Sequence, residues 1–215
     1  MKFFIDTANF SEIKKIIDVF PIDGVTTNPT LISQTGESIQ SLIPKICELV
    51  QKPVSAEVIE TEKDKMYQEA LQLSKLHKNV VVKLPLTKDG LAVCRLLKEK
   101  EIPTNVTLCF SPLQALRAAQ SGATMVSIFV GRLDDIDQSG MQVVADTLEI
   151  FSNYSLKTEV LVASIRHQKH ILDSALLGTD IVTAPYKVLN QIIQHPLTDI
   201  GLKKFLESAQ ALQKK

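Results

Sequence analysis

A lysine stands inside the apolar run Val80-Val81-Val82-Lys83-Leu84-Pro85, where little but its own reach could hydrate an ammonium group. A lysine in water is almost wholly protonated at neutral pH and cannot attack a carbonyl, whereas apolar surroundings favour the neutral, nucleophilic amine. The run therefore points to amine catalysis through a Schiff base, against the simpler reading that Lys83 ends a buried strand and reaches into solvent. Other polar residues stand where apolar runs stop: Asp6, Thr26-Thr27-Asn28, Glu57, Asn105, Thr107 and Ser164. These are the materials of carbonyl chemistry, in which an amine forms an imine, the protonated imine withdraws electrons as a carbon–carbon bond breaks, and carboxylates such as Asp6 and Glu57 carry protons. Each has a structural explanation as well: Asp6 as a helix cap, Glu57 as a partner for Lys83, Asn28 as preparation for the turn into Pro29.

Two arginine-bearing segments add an anion. Gly131-Arg132 follows one apolar run and Ser164-Ile165-Arg166 follows the next, just before a helical pattern. A guanidinium matches a phosphate dianion by paired hydrogen bonds, and free amides at a helix start have the right sign. Arg132 could instead pair with Asp134 or Asp135. His167 and His170 share a helical face, but no third ligand is indicated, and such a pair is most often an accident of the surface.

The elements that must position these groups alternate along the whole chain. Eight β-branched runs read as strands: Phe3 to Asp6, Gly24 to Asn28, Val54 to Val58, Val80 to Leu84, Thr104 to Cys109, Met125 to Val130, Glu159 to Ser164 and Asp180 to Ala184. Amphipathic helical patterns separate them, with starts marked at Asn9 with Glu12 and at Thr61 with Asp64. Alternation at the spacing of right-handed βα units predicts an α/β chain folded as a closed (β/α)8 TIM barrel. An open doubly wound sheet is less consistent, because no G-x-G-x-x-G follows an early strand. In a barrel the residues at the strand ends would converge on one mouth.

No linker or low-complexity segment divides residues 1–215, so one domain is expected. Beyond the eighth strand, Lys187 to Gln194 and Thr198 to Gln213 read as helices separated by His195-Pro196-Leu197. The terminal helix, 198–213, exceeds what a barrel needs and could cover its own barrel or, the reading preferred here, a neighbouring subunit. Lys and Arg total 24, as do Asp and Glu, so neither nucleic acid nor a membrane surface is suggested as a partner. With no membrane-length apolar stretch, and Asp6 breaking the Met1 to Ile5 start, a cytoplasmic protein is expected. Cys47, Cys94 and Cys109, each flanked by apolar residues, read as reduced, buried thiols.

The motifs together resemble the short transaldolases, the fructose-6-phosphate aldolase-like branch: Asp6-Thr7-Ala8, Gly24 to Thr30, Ala56-Glu57-Val58, Val82 to Pro85, Asn105 to Leu108, Phe129 to Arg132 and Ala163 to Arg166. The similarity continues through Pro185 to Val188 and His195 to Asp199. It implies that Lys83 forms the Schiff base with a ketose phosphate, that Asp6 takes the C4 hydroxyl proton, and that Glu57 and Thr107 hold a proton-relaying water. It further implies that Thr27, Asn28 and Asn105 orient substrate hydroxyls, that Ser127 supports the site, and that Arg132, Ser164 and Arg166 bind phosphate, with no cofactor and no metal. Glu57 and Phe129 favour transfer over aldol release, since the aldolase branch tends to carry glutamine and tyrosine there. Homo-oligomers, pentamers or decamers, are implied as well. A barrel that binds sugar phosphates without catalysis is the alternative of a different class.

Overall fold

The computed structural model describes residues 1–213. The first half of the chain runs β1 Lys2–Asp6, α1 Phe10–Ile17, β2 Gly24–Thr26, α2 Pro29–Ser33, α3 Ile39–Val50, β3 Val54–Glu57, α4 Lys63–Ser74, β4 Val80–Pro85 and α5 Lys88–Lys98. The second runs β5 Thr104–Cys109, α6 Pro112–Gln120, β6 Met125–Phe129, α7 Val130–Asp134, α8 Gly140–Asn153, β7 Glu159–Ala163, α9 Gln168–Leu177, β8 Ile181–Ala184, α10 Tyr186–Gln191 and α11 Pro196–Gln213. The eight strands pair in parallel in sequence order, and β8 closes on β1 with Phe4 opposite Thr183. The fold is a (β/α)8 barrel with an added terminal helix, as the alternating pattern predicts.

Closure divides the apolar residues into two cores. Strand residues facing outward, such as Ile5, Val25, Val82 and Val162, pack against Ile13, Ile43, Leu97 and Val144 of the surrounding helices. Those facing inward, Phe4, Val81, Met125, Leu161 and Ile181, plug the barrel below the mouth. Gly24 makes room for this plug, because a Cβ there would lie 2.5 Å from the Phe4 ring. A filled floor leaves only the C-terminal strand ends open to a ligand.

Several boundaries differ from the sequence reading. The predicted strand through Asn28 stops at Thr26, because Asn28 turns to cap α2, its Oδ1 accepting from the Leu31 N–H at 2.9 Å. Asn9 caps α1 as expected, but the Glu12 carboxylate accepts from the Thr7 hydroxyl rather than returning to the Asn9 amide. Thr61 caps nothing: α4 starts after Glu62, which makes no side-chain cap. The terminal helix begins two residues early, with Pro196 in the first turn, where a missing N–H costs nothing. Along α11, Leu202, Phe205, Leu206 and Leu212 face solvent, Phe205 being 76% exposed. No described helix is long and apolar enough to cross a membrane.

Candidate active site

Parallel register brings the amine and a carboxylate together. Glu57 at the end of β3 is the register partner of Lys83 in β4, so both side chains point into the barrel. Lys83 Nζ lies 2.9 Å from Glu57 Oε2 and donates to the Thr27 carbonyl oxygen at 3.1 Å. At 5% exposure Lys83 is buried, not a residue that reaches out to solvent. A pair this dehydrated relies on both members, because removing one leaves the other's charge without compensation.

Asp6 occupies the same mouth from β1. Its Oδ1 accepts the Thr26 hydroxyl at 2.7 Å, and Thr26 lies 2.7 Å from the Thr183 hydroxyl. With the Thr26 proton given to Asp6, Thr183 must donate to Thr26, so the two hydroxyls form a directed chain ending on the carboxylate. Burial pushes the Asp6 carboxyl above the usual carboxylate range, while the Thr26 bond and then the Lys83 charge oppose that rise. A carboxyl whose proton affinity is raised in this way is a better proton acceptor than an exposed carboxylate.

Below and beside Lys83, Asn105 is fully buried; its Nδ2 donates to Ser55 Oγ at 3.1 Å and its Oδ1 accepts from Ser127 Oγ at 2.7 Å. Thr107 lies two residues on, and its buried hydroxyl has no hydrogen-bond partner among the described residues. An unmet buried hydroxyl costs about 1–3 kcal/mol, so a polar atom brought to Thr107 would be stabilised there. Leu108, next along β5, takes a left-handed conformation (φ 59°) where the register with β6 shifts, interrupting the strand's alternation just beyond Thr107.

The arginines enter from β6 and β7. Arg132 on α7 sits with its guanidinium carbon 5.1 Å from the Phe129 ring centroid. Ser164, also left-handed (φ 58°), turns the chain after β7 so that its carbonyl accepts the Gly131 N–H at 3.1 Å. A non-glycine residue in this region stores of order 1–3 kcal/mol and commonly marks a functional turn. Arg166 is exposed and pairs with Asp135 at 2.8 Å, an interaction weak enough in solvent to exchange for an anion. It was Arg132 that the sequence could pair with Asp134 or Asp135; in the structure those carboxylates face His170 and Arg166 instead.

Asp6, Asn28, Lys83, Ser127, Phe129, Arg132, Ser164 and Arg166 line one cavity of about 260 Å³. Glu57 joins it through Lys83, and Asn105 through Ser127. Thr27 does not: its hydroxyl donates to the Ser55 carbonyl at 2.8 Å, and only its own carbonyl reaches Lys83. The inward residue is Thr26, set opposite Asp6 by the register of β1 with β2, a relation between strands that neither segment shows alone. A larger groove of about 690 Å³ beside α4 gathers exposed polar residues such as Gln68 and Gln72, and no buried ionisable group. The three cysteines are free and buried, and burial pushes the Cys47 and Cys109 thiols up to about 12, leaving no ready thiolate nucleophile.

Comparison with known proteins agrees with this geometry. Residues 3–215 match the family described as Transaldolase/Fructose-6-phosphate aldolase. Probable transaldolases of Thermodesulfovibrio yellowstonii and Geobacter sp. are 54% and 52% identical, each alignment covering all of both chains. That of Aquifex aeolicus is 52% identical over all of this chain and 99% of its own. Among solved structures, 3-hexulose-6-phosphate synthase from Salmonella typhimurium superposes with a TM-score of 0.65 at 19% identity, over 89% of this chain and 96% of that one, a likeness of fold alone. A buried lysine facing a carboxylate at the mouth of an eight-stranded barrel, and half-identical relatives matched end to end, give one answer: the chain belongs to the transaldolase/fructose-6-phosphate aldolase family.

Proposed function

We propose that this protein is a transaldolase, moving a dihydroxyacetone unit from a ketose phosphate, sedoheptulose 7-phosphate or fructose 6-phosphate, to an aldose phosphate, glyceraldehyde 3-phosphate or erythrose 4-phosphate. The observation that carries the reading is the buried Lys83 Nζ, 2.9 Å from Glu57 in a mouth it shares with Asp6. Glu57 accepts a proton from the ammonium, and the free amine attacks the C2 carbonyl. The carbinolamine loses water, with Glu57 and a water held at Thr107 moving the protons, to give a protonated imine. Asp6 then takes the C4 hydroxyl proton, the C3–C4 bond breaks, and its electron pair passes into the iminium to leave an enamine on Lys83 and a free aldose phosphate. The enamine adds to the incoming aldehyde, Asp6 returns its proton to the new alkoxide, and hydrolysis of the imine frees Lys83.

Asn28 orients substrate hydroxyls, Asn105 and Ser127 hold the floor of the site, and Arg132, Ser164 and Arg166 take the phosphate. Thr26, rather than the Thr27 side chain, supports the hydroxyl-binding edge. Phe129 presents no hydroxyl to the enamine, which keeps that face dry and reserves the carbanion for the aldehyde. One barrel forms the catalytic unit, acting in the cytoplasm within the non-oxidative pentose phosphate pathway. The apolar face of α11 supports a homo-oligomer, a pentamer or decamer, since Phe205 and Leu212 in water forgo about 1.5–3 kcal/mol each.

The test is release of glyceraldehyde 3-phosphate from fructose 6-phosphate with and without erythrose 4-phosphate. Release that requires the acceptor is the expected result. Equal release without it, together with free dihydroxyacetone, would make the protein an aldolase; no release in either case would leave a binding protein.

A further inference from the structure

The His170 side chain contacts both arginine-bearing turns. It is buried, 3% exposed, contrary to the surface pair that its spacing from His167 suggests. Its Nδ1 faces the Arg166 backbone N–H at 3.2 Å, and its Nε2 lies 2.8 Å from Asp134 Oδ2. Because the Arg166 N–H can only donate, Nδ1 must be bare, and the single proton of the neutral ring sits on Nε2 and goes to Asp134. Asp134 follows Arg132 by two residues on α7, and its other oxygen accepts the Gly140 N–H at 3.0 Å, fixing α7 to the start of α8.

We propose that His170 is a positioning residue, whose two ring nitrogens hold the Arg132 and Arg166 turns at the separation that a sugar phosphate bridges. The inference rests on the reading of those arginines as the phosphate site. The surroundings fit the role. Gly131 lets the two turns approach: a Cβ there would lie 2.2 Å from the Ser164 carbonyl oxygen and 2.6 Å from Arg166 Nε. The Ser174 hydroxyl donates to the His170 carbonyl oxygen at 2.6 Å, and the exposed His167 ring covers the imidazole at 3.9 Å. Arg166 is therefore held firmly by its backbone and loosely by its side chain, which Asp135 parks in solvent. A phosphate needs that combination, a guanidinium free to swing on an anchor that does not move. An apolar residue would fill the same space, but it would leave the Arg166 N–H and Asp134 without this link.

The test compares His170→Ala, His170→Asn and Asp134→Asn with the wild type in three readouts. These are KM for fructose 6-phosphate, inhibition by inorganic phosphate, and borohydride trapping of dihydroxyacetone, which carries no phosphate. His170→Ala should raise KM and weaken phosphate inhibition by about tenfold, while trapping is kept within about twofold. His170→Asn, whose Oδ1 can still accept from the Arg166 N–H, should recover part of the loss. Asp134→Asn, which has one oxygen for two donors, should fall between the wild type and His170→Ala. Equal loss in all three readouts would mean a general structural role and overturn the proposal, as would unchanged KM and inhibition. Wild-type protein that traps dihydroxyacetone but ignores phosphate would overturn it together with the phosphate reading, leaving the Schiff base intact.

Discussion

Lys83 Nζ and Glu57 Oε2 stand 2.9 Å apart on neighbouring strands, both largely removed from water. The pair ties the barrel's stability to the proposed chemistry, since the group proposed to receive the lysine proton also compensates its charge.

Glu57→Gln separates these roles, because glutamine keeps the size and a carbonyl oxygen for Nζ but takes no proton. The single-turnover rate of imine formation should fall by about 10²–10⁴-fold. Stability should fall as well, because the carboxamide offers the ammonium a dipole in place of a charge. Stopped-flow trapping and thermal melting check the two effects.

Asp6 should trade stability for activity. Its pKa is raised in the fold by burial, so the folded protein holds a proton that the unfolded chain releases above its ordinary value, 3.8. Its contribution to stability is greatest in acid and is lost as pH rises from that value through the raised one. At neutral pH, Asp6→Asn should therefore raise Tm while reducing C3–C4 cleavage by about 10³-fold. A Tm below that of wild type at pH 7 would contradict this account of the carboxyl.

His170 carries the opposite sign. Burial holds its pKa below the ordinary 6.5, with the Asp134 bond opposing and the His167 charge assisting. The stability this contributes is present above 6.5 and declines as pH falls from there through the lowered folded value, because unfolding then takes up a proton. Denaturant titrations should show wild-type stability declining below that point more steeply than in His170→Asn, and equal slopes would count against a neutral imidazole.

Gly24 and Phe4 form the packing lock of the barrel floor. Gly24→Ala drives a methyl to within 2.5 Å of the ring and should cost about 1–3 kcal/mol. Phe4→Leu in the same chain should recover part of it, since a smaller side chain vacates that volume. Urea unfolding of the single and double variants measures the coupling.

A chain ending at His195 lacks α11 and the exposed Leu202, Phe205 and Leu206. Sedimentation should then show the protomer or a smaller assembly in place of the homo-oligomer proposed for the full chain. An unchanged assembly would place the contact on another face.

How much of this the sequence discloses depends on how local the cause is. The barrel is legible because βα alternation is written in every segment, and Lys83, Glu57 and Asp6 are legible because charge interrupts apolar runs. Thr26 is harder to read: which of two adjacent threonines faces inward depends on the register that opposes it to Asp6, a relation between strands. His170 is illegible for the same kind of reason. Its burial arises where α8 and α9 meet the α7 turn, whereas its spacing from His167 describes only α9. Thr61 had the residue type of a cap, but the chain enters α4 one residue later, at Glu62.

The proposed mechanism depends on Lys83 as the nucleophile, and the direct measurement is borohydride reduction in the presence of dihydroxyacetone, followed by mass mapping of the adduct. A single adduct on the peptide containing Lys83, absent from Lys83→Met, is the predicted result. An adduct on another lysine, or turnover of fructose 6-phosphate by Lys83→Met, would contradict it.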